Sequence, residues 1–475
     1  MDIVVFYGIY IGAALLFTTS VVLAVGGVLH AGARRPEGFL IYFFAPLILV
    51  IMLDPLVSGR NLEFGLANAA AAAASGESSS GLVKWIQRAV SLFLLAASIE
   101  RLAALAFKPR QPDRPIALMT TFGAYWTATV ALPAAFGARP VITHEYFYWL
   151  LIGMAGLTTT ENGARTAIRV ARNALLVFGL AGLAVLAVKR SVVLEPYMSG
   201  LIKAFPWRYS GLAVGPNQMG PISLLFMICL SCFPFERRWL RILAWTVAWI
   251  SFILAQSKTT WLAALVCFSV IWVIRGRGKL AHLLATRQHR LATQVFLGLL
   301  IVAILAVVFV LGSGILESRL QRFFATRAGA DMLRLTGRNE IWAVAWDTFI
   351  RYPWFGYGPT IWDPYFRYQI GMNVFHAHNQ FLNVLASSGV VGAFAFLGFM
   401  GALVARLWKR LSAFNGFASA LFTMIMLRCI SEVPWTLHSF ASEALAPMLL
   451  IVALAGAPVS KPVHQRELGE PNEPR

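Results

Sequence analysis

Long apolar runs alternate with short polar breaks along almost the whole chain. Windows of roughly 17 to 25 apolar residues, the length a helix needs to cross hydrocarbon, recur near 4–27, 38–54, 85–107, 116–136, 146–163, 174–190, 217–234, 240–256, 259–274, 292–311, 380–405, 413–431 and 440–457. This pattern predicts an all-α polytopic transmembrane helical bundle of about 12–13 helices. The composition agrees: 58% hydrophobic and 13% charged residues, with a mean hydropathy of +0.69, exclude an ordinary soluble domain of this length. The first run follows Asp2 rather than a basic stretch and lacks a small-residue cleavage site, so it reads as a first span, not a cleaved signal.

A net charge of +19 raises the question of nucleic acid, but the basic residues are scattered through short breaks instead of forming one stripe, which argues against it. Their placement predicts orientation instead. With "GARRPEG" (32–38) cytoplasmic, alternation puts "KPRQPDR" (108–114), "RTAIRVAR" (165–172), "ERRWLR" (236–241), "RGRGKLAHLLATRQHR" (275–290), "RLWKR" (406–410) and the tail on that side, as the positive-inside rule requires. The N-terminus then lies outside. The four cysteines sit in apolar runs and read as buried small hydrophobes; Cys229 and Cys232 make a CxxC with no partner ligands nearby.

The same phase assigns a side to the remaining polar features. The predicted organisation is a membrane domain over 1–460, a large outer segment over 312–379 inserted within it, and a disordered cytoplasmic tail over 461–475. Residues 58–81, with "ANAAAAAASGESSSG", form a low-complexity outer loop. The 312–379 segment is aromatic and rich in arginine: Arg319, Arg322, Arg327, Arg334, Arg338, Arg351 and Arg367. Within it, "TGRNEIWAVAWDTFIRYPWFGYGPTIW" (336–362) predicts an amphipathic helix with Ile341, Trp342, Ala345, Trp346 and Phe349 on one face, lying in the membrane interface. Pro353, Gly356, Gly358 and Pro359 end it.

Arg338 falls in the first turn of that helix, against the positive end of the macrodipole, unless an anion sits there. Arg208 precedes the Gly, Pro and Asn run of "FPWRYSGLAVGPNQMGPISLL" (205–225), which reads as a broken helix start. Lys258 lies at an outer turn in "LAQSKTTW", where snorkelling is its plain explanation. His376 and His378 stand before the span from 380, with Asn379 placed to cap it. Glu432, in "RCISEVPW", lies at the outer end of the next span, one turn after Arg428.

The combination of "GRNEIW", "YPWFGYGPTIW" and "HAHNQFLNVLASSGVVGAFAFL" resembles the signature of the O-antigen ligase and Wzy-type polysaccharide polymerase superfamily, most clearly over 336–400. "RYSGLAVGPNQMG" and "LAQSKTTWLAALV" add weaker likeness. Many relatives carry arginine where this chain has Lys258, and lysine lacks the planar bidentate fork. The resemblance implies about a dozen helices in the bacterial inner membrane, one large periplasmic segment with amphipathic helices, and an active site on the periplasmic face. It implies an inverting glycosyltransferase whose donor is an undecaprenyl-pyrophosphate-linked glycan. The acceptor is a glycan in a polymerase or lipid A-core in a ligase, with the lipid bilayer and polysaccharide chain-length or export proteins as further partners. No metal or other cofactor is expected, and the chain contains no DxD.

On the matching residues, His378 is the expected general base, with His376 in reserve. Arg338, Arg208 and Lys258 are the expected pyrophosphate ligands. Asn379 and Glu432 would support them, Glu432 by orienting the histidine, binding sugar hydroxyls or pairing with Arg428. Polymerisation of repeat units is the leading expectation, a ligase the second, and a lipid-linked oligosaccharide flippase the third, since no paired broken helices are visible.

Overall fold

The computed structural model describes residues 81–106, 115–197, 205–285, 338–372, 374–437 and 445–458, with scattered positions between 44 and 62. The expected spans at 4–27 and 292–311, the alanine-rich loop, the 312–337 part of the outer segment with Arg319, Arg322, Arg327 and Arg334, and the tail at 461–475 lie outside the described residues.

The described chain is almost wholly helical. Its elements are α1 (Gly81–Ala106), α2 (Ile116–Trp126), which passes through a π-helical turn (Thr127–Ala131) into α3 (Leu132–Phe136), α4 (Tyr146–Gly156), α5 (Glu161–Val188), α6 (Pro216–Cys232), α7 (Arg238–Leu254) and α8 (Lys258–Ala285). Then follow α9 (Arg338–Arg351), α10 (Pro364–Ile370), α11 (Gln380–Trp408), α12 (Phe417–Ser431) and α13 (Leu445–Ala455). Among the described residues, four stretches are long and apolar enough to cross a membrane: Glu161–Val188, Lys258–Gly276, Gln380–Trp408 and Ala413–Ser431. Cys229, Cys232 and Cys267 are buried and all four cysteines are free, as the apolar reading expects.

Arginines collect at one end of this bundle and finish its helices. Arg406 donates to the carbonyls of Leu454 and Ala455, and Arg410 to that of Ala457, closing the C-terminus of α13. Arg172 donates to Phe233 and Pro234, and Arg275 to Ser231, at the end of α6. Helix C-termini leave carbonyls unsatisfied and carry partial negative charge, so guanidinium groups suit them twice over. α8 and α12 run antiparallel: Gly416 packs on Ile274 at this end, and the Cys267 thiol reaches the Ala420 carbonyl a turn further along. The starts of α8 and α11 and the end of α12 therefore share the opposite end.

Three features differ from the sequence expectation. α8 runs on to Ala285 through the first part of "RGRGKLAHLLATRQHR" (275–290), expected as a loop. "RTAIRVAR" is not a loop but the opening turns of α5, whose 28 residues exceed the roughly 20 that hydrocarbon requires. Thr160 caps that helix through Gly163 N–H, and Glu161 pairs with Arg165 at 2.7 Å on its first turn, so the basic stretch extends a helix already started. A short antiparallel pair, β1 (Leu194–Pro196) and β2 (Trp207–Tyr209), sets Glu195 opposite Arg208.

α11 is broken at Gly389, where φ is 64° and ψ −161°, a conformation open essentially to glycine alone. The loop after α9 enters the break: Val390 N–H donates to the Pro353 carbonyl at 2.8 Å, and Tyr357 and Gly358 N–H donate to Ala386 and Ser387 at 2.9 and 3.0 Å. Backbone groups released by the kink are thus satisfied by a neighbouring chain rather than left bare in an apolar setting. A Cβ on Gly389 would collide with the Trp354 carbonyl, and one on Gly356 with the Ser387–Ser388 peptide.

Candidate active site

At the end away from the arginine caps, the start of α9, the turn leading into α11 and the residues after α12 converge. The turn is set by Asn379, whose extended backbone (φ −157°) and side chain, accepting from Leu382 N–H at 3.0 Å, start α11 as the expected cap. His378 before it adopts φ 49°, a left-handed conformation that histidine tolerates better than most side chains. Ala377 is fully buried between the two histidines, and their rings meet edge to face with centroids 4.2 Å apart.

Glu432 ends α12, its N–H donating to the Arg428 carbonyl at 2.7 Å. Three residues on, Trp435 N–H donates to Gln380 Oε1 at 2.9 Å and its carbonyl accepts the Tyr125 hydroxyl at 2.9 Å. Trp435 also packs edge-on against Phe399, which stacks on Tyr125. The stretch carrying Glu432 is therefore fastened to α11 and α2 on both sides.

The carboxylate is the hub. Its Oε2 lies 3.2 Å from His378 Nδ1 and 3.5 Å from His376 Nε2, and its Oε1 lies 3.8 Å from the Arg338 guanidinium. Burial alone would raise the Glu432 pKa, but the His378 hydrogen bond and the charges of His376, His378 and Arg428 hold it below the usual carboxylate value. Arg338 thus has the anion its helix position calls for.

The two imidazoles are not equivalent. His376 Nδ1 accepts the His378 backbone N–H at 3.2 Å, so that nitrogen carries no proton and Nε2–H faces Glu432. Burial, followed by the charge of His378, lowers the His376 pKa to about 4. His378 turns Nδ1 to the same carboxylate, which only accepts, so Nδ1 holds the hydrogen and Nε2 is left with a lone pair. Among the described residues, no hydrogen bond engages that Nε2.

The sequence-expected residues divide into two groups. His376, His378, Glu432 and Arg338 come together, with Asn379 capping beside them. Arg208 lies at the same end of the bundle but is engaged locally: it donates to Asn217 Oδ1 at 2.6 Å and the Ala255 carbonyl at 3.2 Å, and sits over the Tyr197 ring. Burial lowers its pKa and Glu195 opposes that shift. Lys258 is exposed at the start of α8.

His376, His378 and Glu432 also offer donor atoms all within 4.8 Å of one another, enough to hold a metal ion. The Arg338 guanidinium at 3.8 Å and the nearby Arg428 charge oppose a second cation there.

Sequence reasoning passed over Gln380, Trp342 and Asn383. The signal was present for two of them: Gln380 and Asn383 are amides inside an apolar run, and both are buried, which requires partners. The third, Trp342, looks like any interfacial tryptophan until its indole is placed.

Residues 242–397 match the family described as Wzy_C, O-Antigen ligase. The matched stretch contains Lys258, Arg338, His376, His378 and Asn379, while Arg208 and Glu432 fall outside it. No curated protein matches the chain. The match over residues 242–397 is to the O-antigen ligase family, and it supports a membrane enzyme of surface-polysaccharide assembly.

Proposed function

We propose that this enzyme polymerises undecaprenyl-pyrophosphate-linked repeat units on the periplasmic face of the inner membrane by inverting, single-displacement glycosyl transfer. The reading rests on one observation above all: His378 presents an open Nε2 lone pair while its Nδ1 is held by Glu432, 3.2 Å away. An acceptor sugar hydroxyl placed at that Nε2 gives up its proton as its oxygen attacks the anomeric carbon. The bond from that carbon to the pyrophosphate oxygen breaks, and the lipid pyrophosphate leaves with both electrons. Glu432 steadies the imidazolium formed, in the way a buried carboxylate supports a catalytic histidine.

His376 is the poorer base, because one nitrogen accepts a backbone N–H and the other faces the carboxylate. Arg338, beside the hub, is the proposed first ligand of the leaving pyrophosphate, a contribution of about 2.7 to 4 kcal/mol for one well-placed donor. Arg208 and Lys258, at the same end of the bundle, are the proposed further ligands. Arg208 must exchange its bond to Asn217 or Ala255 to serve. The large outer segment, the cytoplasmic tail and partnership with chain-length or export proteins belong to the same proposal.

Transfer to lipid A-core is a second reading, favoured by the description of the matching family as O-Antigen ligase. Reconstituting the purified protein with lipid-pyrophosphate-linked repeat units, with and without lipid A-core and with EDTA throughout, separates the two. A ladder of longer lipid-linked chains without lipid A-core is the result expected. Transfer only when lipid A-core is supplied makes the protein a ligase. No covalent product under either condition, nor after metal is restored, contradicts both readings.

A further inference from the structure

The peptide between the two histidines is held from both sides. Ala377 N–H donates to Asn383 Oδ1 at 3.2 Å, and the Ala377 carbonyl accepts the Trp342 indole N–H at 3.0 Å. Asn383 Oδ1 also accepts the Trp362 indole N–H at 2.9 Å. Ala377 has no exposed surface, and Asn383 and Trp362 are buried. The two bonds to Asn383 are therefore made where water cannot readily replace them.

The three clamping residues come from three different elements. Asn383 lies one turn into α11, four residues after the cap Asn379. Trp362 belongs to the loop after α9. Trp342 lies on α9 itself, four residues after Arg338, and residues four apart share a helix face. One helix face thus presents a guanidinium to Glu432 and an indole to the turn carrying the bases.

We propose that Trp342 and Asn383 are positioning residues: by gripping the Ala377 peptide they fix His376 and His378 on one side of the turn, both facing Glu432, and they lock Arg338 in register with His378. This role rests on the base and leaving-group assignments above. A turn with a histidine at φ 49° has other conformations open to it, and the clamp selects the one that directs His378 Nδ1 at the carboxylate. Without the indole hydrogen bond, the described contacts leave α9 joined to the histidine turn by non-directional packing, and indirectly through Glu432, which pairs with Arg338 at 3.8 Å.

Two readouts test the clamp separately from the reaction. The first is amide hydrogen exchange over 374–379 in the reconstituted chain without substrate. Trp342→Phe keeps an aromatic ring and removes the donor; Asn383→Leu removes the acceptor. Either variant is expected to lose protection at Ala377, whereas Trp346→Phe, at an exposed position one turn along α9, is expected to behave as wild type. Unchanged protection in both clamp variants overturns the clamp whether or not the protein transfers glycans.

The second readout is steady-state transfer. A misplacement on the ångström scale costs a reaction up to about 10²-fold, so Trp342→Phe is expected to lower kcat roughly 10- to 100-fold while KM for the lipid-linked donor shifts less than about threefold. Asn383→Asp keeps the acceptor oxygen and is expected to retain more activity than Asn383→Leu, which covers the case in which Trp342→Phe inserts poorly. A loss shared equally by kcat and donor KM, or equal activity in Asn383→Asp and Asn383→Leu, contradicts positioning. Wild type that is inactive, or His378→Ala that is fully active, defeats the base assignment instead, and leaves the exchange result to decide the clamp.

Discussion

Glu432 serves three neighbours with two oxygens, and its charge keeps the proton of His378 on Nδ1. Glu432→Gln keeps the shape of the side chain and removes the anion, so the His378 tautomer is no longer fixed and the imidazolium loses its support. The expected result is a fall in kcat of about 10² or more at neutral pH, read from initial rates of glycan transfer. His376 offers a second test, through pH. Its folded-state pKa is about 4, against an ordinary 6.5, so between those values the unfolded chain binds a proton that the folded chain refuses. Stability at this residue is therefore complete above pH 6.5 and falls as pH drops toward 4, by up to about 3 kcal/mol. Unfolding of the reconstituted protein across that range is expected to show the loss in wild type and a smaller one in His376→Ala. Parallel curves would contradict the assignment.

At the scale of elements, the break in α11 is the joint that lets the loop after α9 lie against the helix bearing the histidine turn. Gly389→Ala places a Cβ against the Trp354 carbonyl in a backbone conformation that costs about 1 to 3 kcal/mol for other residues. A lowered unfolding midpoint is expected, with Gly398→Ala, which meets open space, unaffected. The ends of these elements were legible in the chain: Arg338 opens α9, Pro353 and Gly356 close it, and Asn379 caps α11, each through local chemistry. The inward face of α9 was not. The sequence stripe of Ile341, Trp342, Ala345, Trp346 and Phe349 is replaced by buried Ile341, Ala345 and Thr348, with Trp346 exposed. Lipid accepts apolar side chains as readily as a protein interior does, so periodicity in such a chain locates a greasy face without saying what covers it. The pairing of His378 with Glu432, set by how α11 and α12 pack, leaves no periodic trace, and strands of three residues are too short to show alternation.

For the whole molecule, the separation of charges is the governing feature. Arg172, Arg275, Arg406 and Arg410 finish helices at one end, and the carboxylate with its two histidines lies at the other. Arginines that cap helix ends favour the cytoplasmic side, which supports the proposed periplasmic placement of the site. Tyr368, 87% exposed on α10, gives a direct check: Tyr368→Cys is expected to react with a membrane-impermeant maleimide from the periplasmic side, and labelling only after the inner membrane is opened would reverse the orientation. The proposed reaction turns on His378 acting on the acceptor after the donor has bound. Its most direct test is a paired measurement on reconstituted His378→Ala: binding of the lipid-pyrophosphate-linked repeat unit and its transfer, in one preparation. Binding within about threefold of wild type with transfer abolished is the predicted result. Loss of donor binding, or transfer that survives, would contradict it.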